Sequence, residues 1–188
     1  RKIKKLDYGI PVVPIDSCLT LVTLLICFYQ AMLAFWRAPR PKQPMLFDGV
    51  DVSYLVNQAI NETIHSGDLF VNLRVYYVSR WLAKRLKISR CLYPYENRSW
   101  EKMLLLGVAE GTQETRTIGY QHTSITPHHA NFFFAEGEAA ITPLPGAIVT
   151  CGDVTRDWIN QEANYNQGEV SAGCALRQLL PCQPAIND

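Results

Sequence analysis

The sequence predicts an α/β fold: a parallel sheet with flanking helices, set behind an apolar N-terminal helix. Three observations predict it. From Met45 onward, short apolar runs of strand length alternate with longer segments whose apolar residues recur at helical spacing. The connections between them are short, which is the sequence sign of βαβ units. The chain has 188 residues, of which 48% are hydrophobic and 19% charged, enough for one ordinary domain with a sizeable core and incompatible with wholesale disorder.

Taken in order, the elements begin with the basic stretch Arg1 to Lys5, followed by Pro11 and Pro14, which break regular structure. Asp16-Ser17 offers a helix N-cap to the apolar run Cys18 to Trp36. That run approaches the roughly 20 residues of a membrane span, and three readings compete for it: a buried or interface-lying helix, a true span, and a strand pair. Lys4 and Lys5 precede it and Arg37, Arg40 and Lys42 follow it, so flanking charge sets no orientation. It also lacks the small-residue cleavage site of a signal peptide. Ala38 to Pro44, with three prolines, reads as a stiff spacer that closes a first segment, 1–44.

Asp51 is placed to cap a helix running to about Ile64, and Ser66-Gly67-Asp68 breaks it and starts another, Leu69 to Lys87. The second helix ends in Lys84, Arg85 and Lys87, cations suited to a helix C-terminus. Arg90 to Glu96 reads as a strand whose Pro94 marks an end or an edge. Asn97 or Ser99 can cap the helix Trp100 to about Glu110. Thr117 to His122 is the next strand, Ala147 to Cys151 another, and Gly168 to Cys174 the last, with a helix from Val154 to about Ala163 between the final two. No internal repeat or low-complexity block interrupts them. The sheet and its helices occupy 45–178.

Composition excludes several classes. Lys plus Arg number 18 against 17 Asp plus Glu, so there is no electrostatic case for a nucleic-acid binder. The six cysteines, at 18, 27, 91, 151, 174 and 182, form no C-x-x-C pair, which removes the usual signature of a zinc or thioredoxin-like site. Several lie in apolar runs, as small hydrophobes, and a reducing, cytoplasmic compartment fits them better than a disulfide framework. Two glycosylation sequons, at Asn61 and Asn97, are short enough to arise by chance. The chain opens Arg-Lys-Ile-Lys-Lys without a methionine and is read as a piece of a longer protein.

Ligands of open parallel sheets bind outside the carboxyl ends of the strands, and here the strand exits are polar. The first gives Glu96-Asn97-Arg98, the second Gln121-His122-Thr123-Ser124 and the third Gly152-Asp153. A carboxylate, an imidazole and a helix N-terminus around one cleft can take a proton from a sugar or alcohol hydroxyl and steady a phosphate. Each has a plainer alternative: Asn97 and Asp153 as helix caps, His122 as a structural histidine. His128 and His129 are adjacent, point apart on most backbones, and make a poor metal pair. The sequence holds no G-x-G-x-x-G, no P-loop and no G-x-S-x-G, which weakens dinucleotide oxidoreductases, P-loop NTPases and α/β-hydrolases.

Four segments together carry a resemblance. Tyr93-Pro94-Tyr95-Glu96-Asn97-Arg98-Ser99-Trp100-Glu101 resembles the P-[FY]-E-N-x-x-W-E stretch of bacterial surface-carbohydrate biosynthesis proteins. Gly119-Tyr120-Gln121-His122 resembles their G-Y-Q-H strand exit. Ile148 to Thr155 resembles their strand-turn-helix, and Gly173-Cys174-Ala175-Leu176-Arg177 the element after it, in order and spacing over roughly Leu69 to Arg177. His128-His129 has no counterpart in the pattern, and Ala135 to Ala139 matches its short acidic helix loosely.

These proteins are glycosyltransferases of the GT-B type, for capsule, O-antigen or similar polysaccharide, built of two facing Rossmann-like domains. The resemblance implies that 45–178 is the Rossmann-like, acceptor-side half, that 179–188 starts the interdomain linker, and that the C-terminal domain, which holds the nucleotide-sugar donor, is the missing partner. It implies Glu96 or His122 as the general base, and Asn97, Arg98, Gln121, Thr123, Gly152 and Asp153 as substrate-binding residues. No cofactor and no metal is expected, in keeping with the lack of an Asp-x-Asp motif. A saccharide or lipid-linked acceptor at the inner-membrane surface would fit the apolar N-terminal run. The competing expectations are a non-catalytic membrane-associated domain that binds carbohydrate or a partner, and a polyol-phosphate transferase of the same build.

Overall fold

The computed structural model describes residues 12–38, 40–126, 129–165 and 168–174. The expected segment 179–188 and His128 lie outside them. A 3-10 turn (Ile15–Cys18) leads into α1 (Leu21–Arg37); a two-stranded hairpin, β1 (Leu46–Phe47) and β2 (Val50–Asp51), follows. Next come α2 (Ser53–His65), α3 (Asp68–Arg85), β3 (Arg90–Pro94), α4 (Ser99–Gly111), β4 (Arg116–Tyr120), α5 (Glu138–Ile141), β5 (Ala147–Thr150), α6 (Asp153–Glu162) and β6 (Glu169–Ala172).

The fold is α/β. Its main sheet has four parallel strands in the order β3-β4-β5-β6. Pro94, which has no N–H to give a ladder, ends an edge strand as its chemistry requires. Register places Tyr93, Gly119, Ile148 and Val170 side by side on one face. That face carries the core: Tyr93, Tyr95 and Ile148 cluster with Leu105 of α4, Ile159 of α6, and Phe132 and Phe134 of the loop after β4. Strands laid down in sequence order keep right-handed crossovers on one side, so α4 and α6 share that core. The opposite face carries exposed Leu92, half-buried Ile118 and Val149, and the Arg116–Glu169 ion pair at 2.9 Å.

Helices α3 and α4 pack tightly against each other. Gly107 and Gly111 of α4 lie against Ser79 and Ala83 of α3, and a Cβ at either glycine would overlap the α3 backbone. Small residues one turn apart on both helices are what allow that approach.

The N-terminal run is helical over Leu21–Arg37, which excludes the strand pair, and no helix among the described residues is long and apolar enough to cross a membrane. Two expected caps move. Thr20, rather than Asp16-Ser17, caps α1 by accepting the Thr23 N–H at 3.1 Å, because Asp16 instead forms an ion pair with Arg74 of α3. Asp51, the expected cap, accepts the Ser53 N–H at 2.9 Å from one position outside the observed N-cap, Val52, and its hydrogen bonds to Ser53 hold its carboxyl below the usual aspartate range. The hairpin turn, Asp48-Gly49 with both φ positive, is a type I′ pair absent from the expected elements.

Candidate functional site

The site is built where β3 leaves the sheet. Past Pro94 the chain stays paired through Tyr95, whose N–H donates to the Tyr120 carbonyl at 2.8 Å, and the Tyr95 ring is buried edge-on to Phe132. The next three residues turn sharply, with Asn97 at φ +54, a left-handed conformation that asparagine tolerates better than most residues. One side chain holds the turn. Glu101, 1% exposed in the first turn of α4, accepts the backbone N–H groups of Glu96 (3.0 Å), Asn97 (3.0 Å) and Arg98 (3.2 Å). Burial pushes its carboxyl above the usual glutamate range while these amides pull it down. Arg98 is the N-cap of α4, in place of the expected Asn97 or Ser99; capping is done from inside the helix by Glu101.

Asn97 has a different task. Its amide donates to the Asn131 carbonyl at 2.5 Å, and the Asn131 amide returns a hydrogen bond to the Glu96 carbonyl. This reciprocal clasp ties the β3 exit to the loop after β4.

Glu96 is thereby aimed at the neighbouring strand exit. One carboxylate oxygen accepts from Arg98 Nε at 2.8 Å; the other lies 3.8 Å from His122 Nε2. Both side chains keep about a third of their surface accessible or slightly less, at 32% and 27%. A separation of 3.8 Å is too long for a direct hydrogen bond. It leaves room for one oxygen within hydrogen-bond reach of both groups. A cleft of about 660 Å³ opens here, lined by Glu96, Asn97, Arg98, Ser99, Thr123, Ser124, His129, Asn131 and Phe132. Its walls are hydroxyls, amides and charged groups around one aromatic ring, a lining suited to a polyhydroxylated ligand.

The expected site residues divide. Glu96, Asn97, Arg98 and Thr123 line this cleft, and His122, which is not part of its lining, approaches Glu96 from the β4 exit. Gln121 does not line it: fully buried, it receives the Cys151 N–H on Oε1 at 3.3 Å and donates its own backbone N–H to Val149 at 2.8 Å, so it staples the β4 and β5 exits. Gly152 and Asp153 do not line it either. Gly152 is extended and its carbonyl accepts the Thr150 hydroxyl at 2.8 Å; Asp153, 73% exposed, pairs with Arg156 at 2.6 Å within the first turn of α6. Asp153 serves its own helix, as an acidic residue at a helix start does.

Ser124, which the sequence places at the second strand exit, and His129, considered only as a metal ligand, complete the cleft with Asn131 and Phe132, which no sequence signal assigned to a site. His129 Nδ1 accepts the Thr126 N–H at 3.0 Å, which leaves Nε2 to carry the proton of the neutral ring. Among the described residues no three His, Cys, Asp or Glu side chains are grouped to hold a metal. A second concavity of about 560 Å³, between α4 and the segment around α5, has no titratable side chain in its lining and offers no acid–base chemistry. Comparison with protein-family models, with curated proteins and with solved structures finds no match.

Proposed function

We propose that this chain is the acceptor-binding half of a glycosyltransferase of surface polysaccharide assembly, which passes a sugar from a nucleotide-sugar donor to a saccharide hydroxyl. The observation that carries the reading is the 3.8 Å approach of His122 to Glu96, itself a lining residue of a polar cleft. An acceptor hydroxyl placed between them meets a base and a carboxylate at once. Glu96 is already committed to Arg98 through one oxygen, which leaves the imidazole as the freer base. In this scheme His122 takes the hydroxyl proton as the oxygen bonds to the anomeric carbon, and the nucleoside diphosphate departs with the electrons of the broken C–O bond. Glu96 stabilises the imidazolium that forms. Asn97, Thr123, Ser124 and Asn131 orient the sugar ring, and Phe132 offers it an apolar face. The donor is a substrate, held by a facing domain of the GT-B build, and the work is done at the cytoplasmic side of the membrane.

The test is transfer by the product of the whole reading frame, assayed with a panel of nucleotide sugars and saccharide acceptors. Glu96→Gln and His122→Ala should each lower turnover about a hundredfold with folding intact. Unchanged turnover in both removes the cleft from the mechanism. Transfer from a polyol-phosphate donor instead of a sugar donor would keep the cleft and change the substrate. A second reading, a membrane-associated domain that binds carbohydrate without chemistry, draws on the large apolar residues exposed on α1, and saccharide binding without transfer would favour it.

A further inference from the structure

Helix α1 turns most of its large apolar residues outward. The residues it covers are mostly small or polar: Cys27 is fully buried, Thr23, Ala31 and Ala34 are half-buried together with two large residues, Leu24 and Leu33, and the Gln30 amide oxygen accepts the Tyr77 hydroxyl of α3 at 3.2 Å. The other side is a half-circumference of large apolar residues in the open. Leu21, Val22, Leu25, Phe28, Tyr29 and Trp36 are each more than half exposed, Trp36 at 78%. A surface helix in water does the reverse. Small residues at the helix contact and bulky apolar ones outside are the arrangement of a helix whose outer solvent is hydrocarbon.

Charge says which hydrocarbon. From Ser17 to Phe47 the sequence has no acidic residue, and its cations, Arg37, Arg40 and Lys42, gather at the C-terminal end of the helix. Asp16, just before this stretch, is paired with Arg74. A cationic cluster beside an apolar face with an aromatic residue at its end complements anionic phospholipid headgroups. The helix cannot be lipid-bathed all round, because α3 lies along its other side carrying Arg74 and Arg80. We propose that the outward face of α1 is a membrane-docking surface that lies in the plane of one leaflet of an anionic phospholipid bilayer. This rests on α1 alone and not on the chemistry assigned to the cleft.

The 188-residue chain is to be floated with vesicles of phosphatidylcholine, with and without one-third phosphatidylglycerol. The chain should float with the anionic vesicles, and Leu25→Glu with Phe28→Glu, both on the outward face, should cut the bound fraction at least about tenfold. Arg37→Glu with Lys42→Glu should remove the preference for phosphatidylglycerol. Wild-type chain that stays in the soluble fraction, or a Leu25→Glu/Phe28→Glu chain that floats as well as wild type, overturns the proposal. A dimer that this double variant dissolves, without vesicle binding by the wild type, assigns the face to a second copy and also overturns it. A readout independent of the charge variants is quenching of Trp36 by brominated lipids, taken as the difference from Trp36→Phe. Bromines near the headgroups should quench more than bromines at the chain ends; the opposite order contradicts a helix lying in the plane. Flotation reads lipid and not sugar transfer, so its failure leaves the cleft reading standing.

Discussion

Glu101 shows how much of this site depends on a side chain that never meets a ligand. Three consecutive amides converge on its buried carboxylate, and the direction of Glu96 follows from them. Glu101→Ala leaves those donors without their acceptor and should cost about 3 kcal/mol, read from urea denaturation. The pH dependence has a definite sign. Burial raises the folded-state carboxyl above its ordinary 4.5, so the folded chain holds this proton more tightly than the unfolded chain. The stability that this contributes is complete below the ordinary value and is lost as pH rises through the raised one. Glu101→Gln should flatten that segment of the stability curve; a variant curve parallel to wild type would show that Glu101 is not its source. The clasp between Asn97 and Asn131 works at the same scale, and the sequence offered no sign of it. More than thirty residues separate the two, and the loop that carries Asn131, His129 and Phe132 has no period from which a direction could be read. Glu96 and His122 were legible because strand exits are few and theirs end in chemistry-bearing residues.

At the level of elements, the pairing of α3 with α4 sets the position of the α4 start, and with it the Glu101 anchor. Gly107-x-x-x-Gly111 facing Ser79-x-x-x-Ala83 stood in the sequence without being used, because glycines inside a helix read first as weak points. Gly107→Ala makes the test. Helix propensity alone favours alanine by about 1 kcal/mol, but the new methyl would collide with the Tyr76 carbonyl, which as helix backbone cannot step aside. Overpacking should win, with a net loss of about 2 kcal/mol in chemical denaturation. A stabilised variant would show that the helices sit farther apart. The parallel strands and the long helices from α2 onward were legible to within a residue or two, since apolar runs bounded by Gly, Pro and polar clusters leave few alternatives, whereas α1 starts three residues after the expected Cys18. The β1–β2 hairpin was not, because two-residue strands have no alternation to detect. Asp153 was misplaced for a related reason: a strand–turn–helix pattern is the same whether its acidic residue faces a ligand or only the turn that follows, and here Arg156 takes it.

Across the whole molecule, two surfaces stand apart from the packed core: a polar cleft at the ends of β3 and β4, and the outward apolar face of α1. Composition alone could not tell whether the apolar run is core, span or interface, because that depends on which side of the helix α3 takes. The mostly small and polar residues that the helix covers leave most of its large apolar ones outside, which is the observation behind the docking proposal. The central claim concerns the other surface, where we propose that two strand exits act on one hydroxyl. A double-mutant cycle on kcat/KM for sugar transfer by the product of the whole reading frame, with Glu96→Gln, His122→Ala and the pair, tests it most directly. Groups that handle the same proton are lost together, so the double variant should be no more than a few-fold slower than the slower single one. Losses that multiply in full would mean that the two side chains act separately, and would contradict the account.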